Sequence, residues 1–372
     1  MEIIISHKSA LEYWRSHRKE KIADFARQRR KSLPDSLPSI AYICEKAPSE
    51  LSYPLCLTVS SQNVKWKSTV FQTHVHTGVV PDGCFVSIGD GLAVSAPAFC
   101  FFQMASELPL IKLIELGFEL CGTYSLPVIN DSCDRQRNDR GDRQRNGRGD
   151  NHGNERSNRV EIADEYLFGQ RELIVAHGLY SHGDRIVDNN LYGHPRLTST
   201  KAITTLTARM EGVNGRKKAS RALRYIANGS GSPMETILFM LLTLPHKLGG
   251  YGLPAPELNW RIDTVDSAKS KSRTGKNYYV CDLFWPDADI AVEYDSDFYH
   301  TGADRLAKDS RKRLALAEQG ITVITVTSGQ VRNPIEFERI AKLIAENLQK
   351  RLQYRNPQQF LKAKRELRSL LL

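Results

Sequence analysis

Nowhere does the 372-residue chain carry an apolar run near the ~18 residues needed to cross a bilayer. Its longest apolar stretch, 92–105, is interrupted by Ser95, Pro97 and Gln103 and reads as a buried segment. The basic-then-apolar order of a secretory signal is missing from residues 1–8, where a charged helix-like run follows at once. The expectation is a cytoplasmic protein with no membrane partner. Cysteine is scarce: seven residues, an odd number, six of them before residue 134 and no two separated by two positions. That spacing offers neither a zinc knuckle nor a redox dithiol, and reduced, mostly buried thiols are expected. No heptad or glycine triplet is sustained, which excludes coiled-coil and collagen-like chains. Gly249, Gly250 and Gly252 follow an apolar helical run instead of opening one, so they do not form a phosphate cradle.

What the chain has is 41% apolar residues and length for two or three domains at ~150 residues each. The net charge of +10 is unevenly spread. Residues 229–301 hold 6 basic and 10 acidic groups, whereas 302–372 hold 15 and 7. An acidic stretch that could gather a cation thus precedes a basic one that could neutralise phosphates. Residues 131–158 are almost wholly Asp, Arg, Asn, Gly and Gln, with Asp-Arg-Gln-Arg-Asn repeated at 134–138 and 142–146. Such a segment has too little apolar surface to offset the entropy of ordering and is expected to be a disordered linker. It separates an N-terminal α+β region (1–130) from a helical connecting segment (159–228) and a C-terminal domain (229–372).

In the N-terminal region, Ser6 is a potential helix cap ahead of Ala10, Leu11, Tyr13 and Trp14 at helical spacing. Short alternating runs after Pro38 suggest strands, and Leu110, Leu113, Ile114, Phe118 and Cys121 suggest an amphipathic helix over 108–121. His74 and His76 share a strand face, but with no third ligand in register they read as partly exposed strand histidines. Helices are expected at 161–176 and 199–211, followed by a basic stripe at Arg216, Lys217, Lys218, Arg221 and Arg224.

The C-terminal region is more specific. Ser232, Pro233 and Glu235 precede the apolar run 237–242 in the order of a cap, a first-turn proline and a capping-box glutamate. Strands are expected at 278–285 and 290–295, joined as a hairpin by the turn 286–289. A helix over 304–319 (Leu306, Leu314, Ala315, Ala317) closes at Gly320, and a β-branched strand over 321–327 and a helix over 334–352 follow. Period-two counting places Asp282 with Val280 and Phe284 on one face, and Glu293 with Asp295 on the neighbouring strand. Carboxylates so close repel unless protons or a divalent cation compensate, and an all-oxygen set suits Mg²⁺ or Mn²⁺ over zinc.

An Asp on one strand, a short turn, then an apolar strand with Glu-x-Asp, a following His300, a helix bearing Asp309, Arg311 and Arg313, and a β-branched strand resemble the PD-(D/E)XK nuclease superfamily. Cys281-Asp282-Leu283-Phe284-Trp285-Pro286 and Ala291-Val292-Glu293-Tyr294-Asp295 are most similar to its very-short-patch-repair (Vsr)-like endonuclease branch, over residues 230–350. The resemblance implies an α/β fold: a restriction-endonuclease-like mixed sheet flanked by helices. It implies Asp282 and Glu293 as metal ligands, Glu235 as the preceding helix glutamate, and metal-dependent hydrolysis of nucleic acid, DNA foremost. Asp295 occupies the usual lysine position, so the positive group must come from elsewhere, with Lys308 and Arg313 as candidates. His300 and Asp295 are further site residues, and Lys308, Arg311 and Arg313 are candidate nucleic-acid contacts. Segments 6–15 and 92–124, with a Ser-Ala-Pro turn leading into a helix, are similar to AbiEi-type antitoxin proteins, which implies a protein partner for the N-terminal region. The alternative is a nuclease fold that no longer cuts and acts as a binding module in an antitoxin-like defence or regulatory protein.

Overall fold

The computed structural model describes residues 2–19, 33–127, 191–263, 278–295 and 303–372, the side chains of 303–306 and 308 excepted. The expected linker 131–158, the expected helix 161–176 and His300 lie outside the described residues. The chain divides into two compact units: Met1–Leu108 with Ser125–Ser220, and Pro109–Tyr124 with Arg221–Leu372.

The first unit is organised by β1 (Ile3–Ile5), a strand too short for its period to be read from sequence. All three isoleucines are buried, which suits a central strand covered on both faces. Around it lie β2 (Leu55–Val59), β3 (Phe71–Val75), β4 (Phe85–Gly89) and β5 (Leu92–Ser95), in the order β3-β2-β1-β5-β4. The sheet is mixed: β1 runs parallel to β5 and antiparallel to β2, and β2 runs parallel to β3. The buried stretch 92–105 resolves into two elements, because Pro97 lacks the N–H needed to continue a ladder and instead begins α3 (Pro97–Glu107). Helix α1 (His7–Ser16) packs on α3, and the Trp14 indole donates to the Ser95 carbonyl at 2.7 Å. Helix α2 spans Ile40–Lys46; past α3 and the second-unit helix α4 (Leu110–Cys121), the next described helix of this unit is α5 (Thr200–Arg209), capped by Ser199 and packed on α3. Four residues of the basic stripe fall on the short α6 (Arg216–Ala222), and Arg224 lies beyond its end. Two of its charges are tied to carbonyls, Arg216 to Thr207 and Lys218 to Leu108.

In the second unit α4 packs against α7 (Pro233–Thr243) through an edge-to-face contact of Phe118 and Phe239. The sheet comprises β6 (Glu257–Asp263), β7 (Tyr278–Trp285), β8 (Ile290–Asp295) and β9 (Thr322–Thr327), in that order. β6–β7 and β7–β8 are antiparallel; β8 and β9 are parallel, linked by the crossover helix α8 (Ala303–Ala317). The 286–289 turn is a 3₁₀ turn, Pro286–Ala288, and Gly320 after α8 takes a positive φ of 79°. Two features differ from expectation. β6 was not anticipated, because Glu-Leu-Asn-Trp-Arg-Ile-Asp on an exposed edge has no clean alternation. Leu314 is 62% exposed, and among the described side chains of that helix the buried one is Leu316.

After α9 (Ser328–Arg332), α10 (Pro334–Asn347) ends sooner than 352, and α11 (Pro357–Leu371) follows, announced by the Asn356 cap and Pro357. Helix α11 packs on α4, α7 and the 3₁₀ turn His246–Leu248. The protein is thus a mixed α/β chain with a mixed sheet in each unit. Among the described residues no helix is long and apolar enough to cross a membrane.

Candidate active site

Three of the acidic residues singled out from sequence, Asp282, Glu293 and Glu235, come together where the second sheet opens. β7 and β8 pair at Leu283 with Val292, Phe284 with Ala291 and Trp285 with Ile290. Continuing that register by one residue sets Asp282 opposite Glu293. There the ladder gives way: the Tyr294 N–H donates to Asp282 Oδ2 at 2.8 Å, so a side chain takes the place of a strand partner. On the other side, the β6–β7 register sets Asn259 opposite Asp282, between the pairs Leu258–Leu283 and Trp260–Cys281. Asn259 has φ 49°, a left-handed conformation rare for a non-glycine residue within a strand, and asparagine tolerates it best.

Helix α7 brings the third carboxylate. Ser232 Oγ accepts the Glu235 N–H at 3.1 Å, the first half of the expected capping box. The second half differs. Glu235 Oε2 accepts from the Gly231 N–H at 2.7 Å and from Asn259 Nδ2 at 2.6 Å, turning toward the sheet. Asn259 also donates to the Gly229 carbonyl, which fixes its amide.

Asp282 senses both neighbouring carboxylates. Burial, then the charges of Glu235 and Glu293, push the Asp282 carboxyl up to about 7, against the opposing pull of Tyr294 N–H and Lys312. Glu235 is also raised, by burial first and least by Glu293. They do not close a cage by themselves: among the described residues, the trio of ligand atoms all within 4.8 Å of one another lies in the first unit. Glu293 Oε1 is buried with no hydrogen-bond partner among the described residues.

The positive charge comes from α8. Lys312 Nζ meets Glu293 Oε2 at 2.6 Å and the Val280 carbonyl at 2.6 Å, with both ionised side chains about one-fifth exposed. It lies four residues before the buried Leu316, on the helix face turned to the sheet. A lysine on the apolar stripe was the available signal, and it was obscured by taking Leu314 as core. Of the basic residues expected here, Arg311 and Arg313 are exposed and bond back to the Ala307 and Asp309 carbonyls. The side chain of Lys308 lies outside the described set. Asp295 ends β8 opposite Thr327. The Cys281 thiol beneath the site is pushed up to about 12 by burial and then by Glu293, so it stays protonated.

Chemically, the site offers oxygen donors, one of them without a partner, beside an ammonium and next to exposed guanidinium groups. No protein-family model matches the chain, and no solved structure matches it. It is 29% identical over 130 residues to the uncharacterized proteins MT2308 and Rv2248 of Mycobacterium tuberculosis, from strains CDC 1551 / Oshkosh and ATCC 25618 / H37Rv respectively. That similarity spans 35% of this chain and 42% of the length of each mycobacterial relative.

Proposed function

We propose that the second unit is a metal-dependent nuclease of the PD-(D/E)XK type, Vsr-like, which hydrolyses phosphodiesters in DNA. The observation that carries this reading is the burial of Asp282 beside Glu235 and Glu293, whose charges add to burial in raising it, around the splayed ends of β7 and β8, with Lys312 held on Glu293. Lys312 supplies from a helix the ammonium that Asp295 does not supply from the strand. Asp282 and Glu293 would hold Mg²⁺ or Mn²⁺, for which all-oxygen donors are suited, and the unpartnered Glu293 Oε1 fits that role. Such an ion, when bound, acidifies a water and offsets phosphate charge. The chain's own groups would do the rest. Asp282 accepts the Tyr294 N–H and so keeps its second oxygen oriented, Asn259 fixes Glu235, and Lys312 lies where an ammonium could steady the charge on a phosphate under attack. Arg311 and Arg313 are suited to backbone phosphates.

A specific observation favours the second reading, a binding module that does not cut. Glu235 Oε2 and Glu293 Oε2 are already engaged by Asn259 and Lys312. Against it stands the cost of keeping three carboxylates near phosphates in a surface that only binds. In this view the first unit contributes a protein partner or a regulatory role, in keeping with its AbiEi likeness. Incubating the full chain with supercoiled and linear DNA in Mg²⁺, Mn²⁺ or EDTA distinguishes the two. Ion-dependent cleavage that disappears in Asp282→Asn is expected. DNA retention without cleavage under any ion would establish the binding reading instead.

A further inference from the structure

The first unit holds a group that the sequence pattern did not assemble. His74 on β3 was expected to lack a third ligand in register, but the fold supplies two, from the β1–α1 junction and from the last turn of α3. The His7 and His74 rings stack with centroids 3.6 Å apart and an interplanar angle of 18°. Glu107 Oε1 lies 3.4 Å from His74 Nδ1 and 3.9 Å from His7 Nε2. One ligand atom from each of the three residues lies within 4.8 Å of the other two. We propose that His7, His74 and Glu107 form a zinc site in the first unit, with a fourth position open to solvent.

Three independent features support the assignment. First, two imidazole nitrogens converge on one carboxylate oxygen. His7 Nδ1 lies 3.0 Å from Ser6 Oγ. His7 Nε2 and His74 Nδ1 both face Glu107 Oε1, and the Ser6 contact holds the His7 ring in that orientation. His74 Nε2 and the adjacent His76 Nε2 are buried without hydrogen-bond partners among the described residues.

Second, His7 is held in a costly conformation. Its φ is 48°, the left-handed region disfavoured for a side chain with a Cβ. Gln103 Oε1 accepts its N–H at 3.3 Å, and the Cys100 thiol donates to its carbonyl at 3.4 Å, so α3 clamps the backbone that aims the ring. Third, the donor chemistry is selective. Two imidazoles and one carboxylate suit zinc, whereas Mg²⁺ prefers oxygen alone. Ligand atoms around a tetrahedral zinc, with bonds of ~2.0–2.2 Å, stand ~3.3–3.5 Å from one another, near the separations from Glu107 Oε1 here, and closing the shell requires the stacked rings to turn until both planes contain the ion. The Glu107 side chain is 37% exposed, which leaves one side of the group to solvent. This site is independent of the proposed nuclease centre, which uses other residues in the other unit.

The test uses the full chain, stripped with a chelator and equilibrated with Zn²⁺ for stoichiometry by mass spectrometry, or with Co²⁺ for its visible four-coordinate absorption. One tightly held equivalent and an intense cobalt spectrum are expected. Glu107→Gln is the first variant, because its partly exposed side chain can change without disturbing the core. Supporting-shell changes alone weaken metal sites about 10- to 100-fold, so loss of this ligand should weaken binding at least ~10-fold. The combined change His74→Gln with Glu107→Gln should remove the spectrum, with near-ultraviolet circular dichroism retained. Asp282→Asn should keep both metal and spectrum. Failure of the unaltered chain to take up the ion, a cobalt spectrum surviving in the double variant, or its loss in Asp282→Asn would each overturn the assignment.

Discussion

Lys312 and Glu293 meet at 2.6 Å across the gap between α8 and β8, and the same ammonium also holds the Val280 carbonyl of β7. One side chain therefore touches both strands that carry the acidic residues. A charge pair with an additional backbone acceptor is better compensated than a surface pair, and removing one partner leaves the other partly buried and alone. If this lysine serves phosphodiester hydrolysis, Lys312→Met should reduce kcat about 10²- to 10³-fold, the scale on which a single electrostatic stabiliser is lost. Arg313→Gln, altering an exposed side chain on the same helix, should leave kcat unchanged and lessen only the salt dependence of DNA binding. Single-turnover cleavage at saturating Mg²⁺ measures both, and equal effects of the two substitutions would remove Lys312 from the chemistry.

Asp282 should make the ion-free protein sensitive to pH. Its carboxyl ordinarily titrates at 3.8 and is raised to about 7 in the fold. Between those values the folded chain binds more protons than the unfolded one, so stability falls as pH rises through the window, with the loss complete above pH 7. Asp282→Asn removes that penalty. At pH 8 in EDTA the variant should be the more stable protein, by up to about 4 kcal/mol, because each tenfold change in proton affinity is worth ~1.4 kcal/mol. The advantage should disappear toward pH 4. Urea unfolding across this range reads the difference directly, and parallel pH curves for the two proteins would show that the carboxyl is unperturbed.

Glu235 separates a structural role from a chemical one. Both of its donors, Gly231 N–H and Asn259 Nδ2, converge on a single oxygen, Oε2. Glu235→Gln can keep that oxygen, so its stability should stay within about 1 kcal/mol, while Glu235→Ala strands two donors and should lose about 1–3 kcal/mol. A glutamine variant that folds normally but cuts poorly assigns the other oxygen to the reaction. Unimpaired cleavage would leave Glu235 as a helix-start residue only.

Glycine positions after α7 test the packing of that helix's C-terminal end and of α11. A Cβ on Gly250 would lie 2.1 Å from the Leu244 carbonyl oxygen, and one on Gly249, at φ 90°, would lie 2.3 Å from the Ala363 oxygen of α11. Neither backbone atom can withdraw. Gly250→Ala should cost about 3 kcal/mol or more, at the upper end of overpacking. Gly320→Ala, with a positive φ but nothing within 4 Å, should cost only about 1–2 kcal/mol of left-handed strain. Chemical denaturation midpoints rank the two, and similar losses would contradict this steric account.

How much of this was legible in the chain differs by element. The β7–turn–β8 hairpin was, because β-branched and aromatic runs flank Pro286 to Asp289 and period two then sets Asp282 against Glu293 by counting. Helix α7 was readable from Ser232 and Pro233. Lys312 was not found, because choosing Leu314 over Leu316 as the core residue rotates α8 and turns the lysine to solvent. Asn259 was hidden with its strand, whose sequence does not alternate. The meeting of His7, His74 and Glu107 depends on strand order and on α3 returning across the sheet, neither of which local spacing encodes.

The assignment of 109–124 to the second unit has a practical consequence for anyone dissecting the protein. The Tyr124 hydroxyl lies 3.0 Å from Thr236 Oγ1, Thr123 N–H donates to the Ser230 carbonyl, and Phe118 lies against Phe239. An expression fragment beginning near residue 229 would therefore leave behind the helix that seals α7, exposing a greasy flank and inviting aggregation. A soluble excised half would need 109–124 grafted back ahead of it, through a tether chosen to replace the intervening chain.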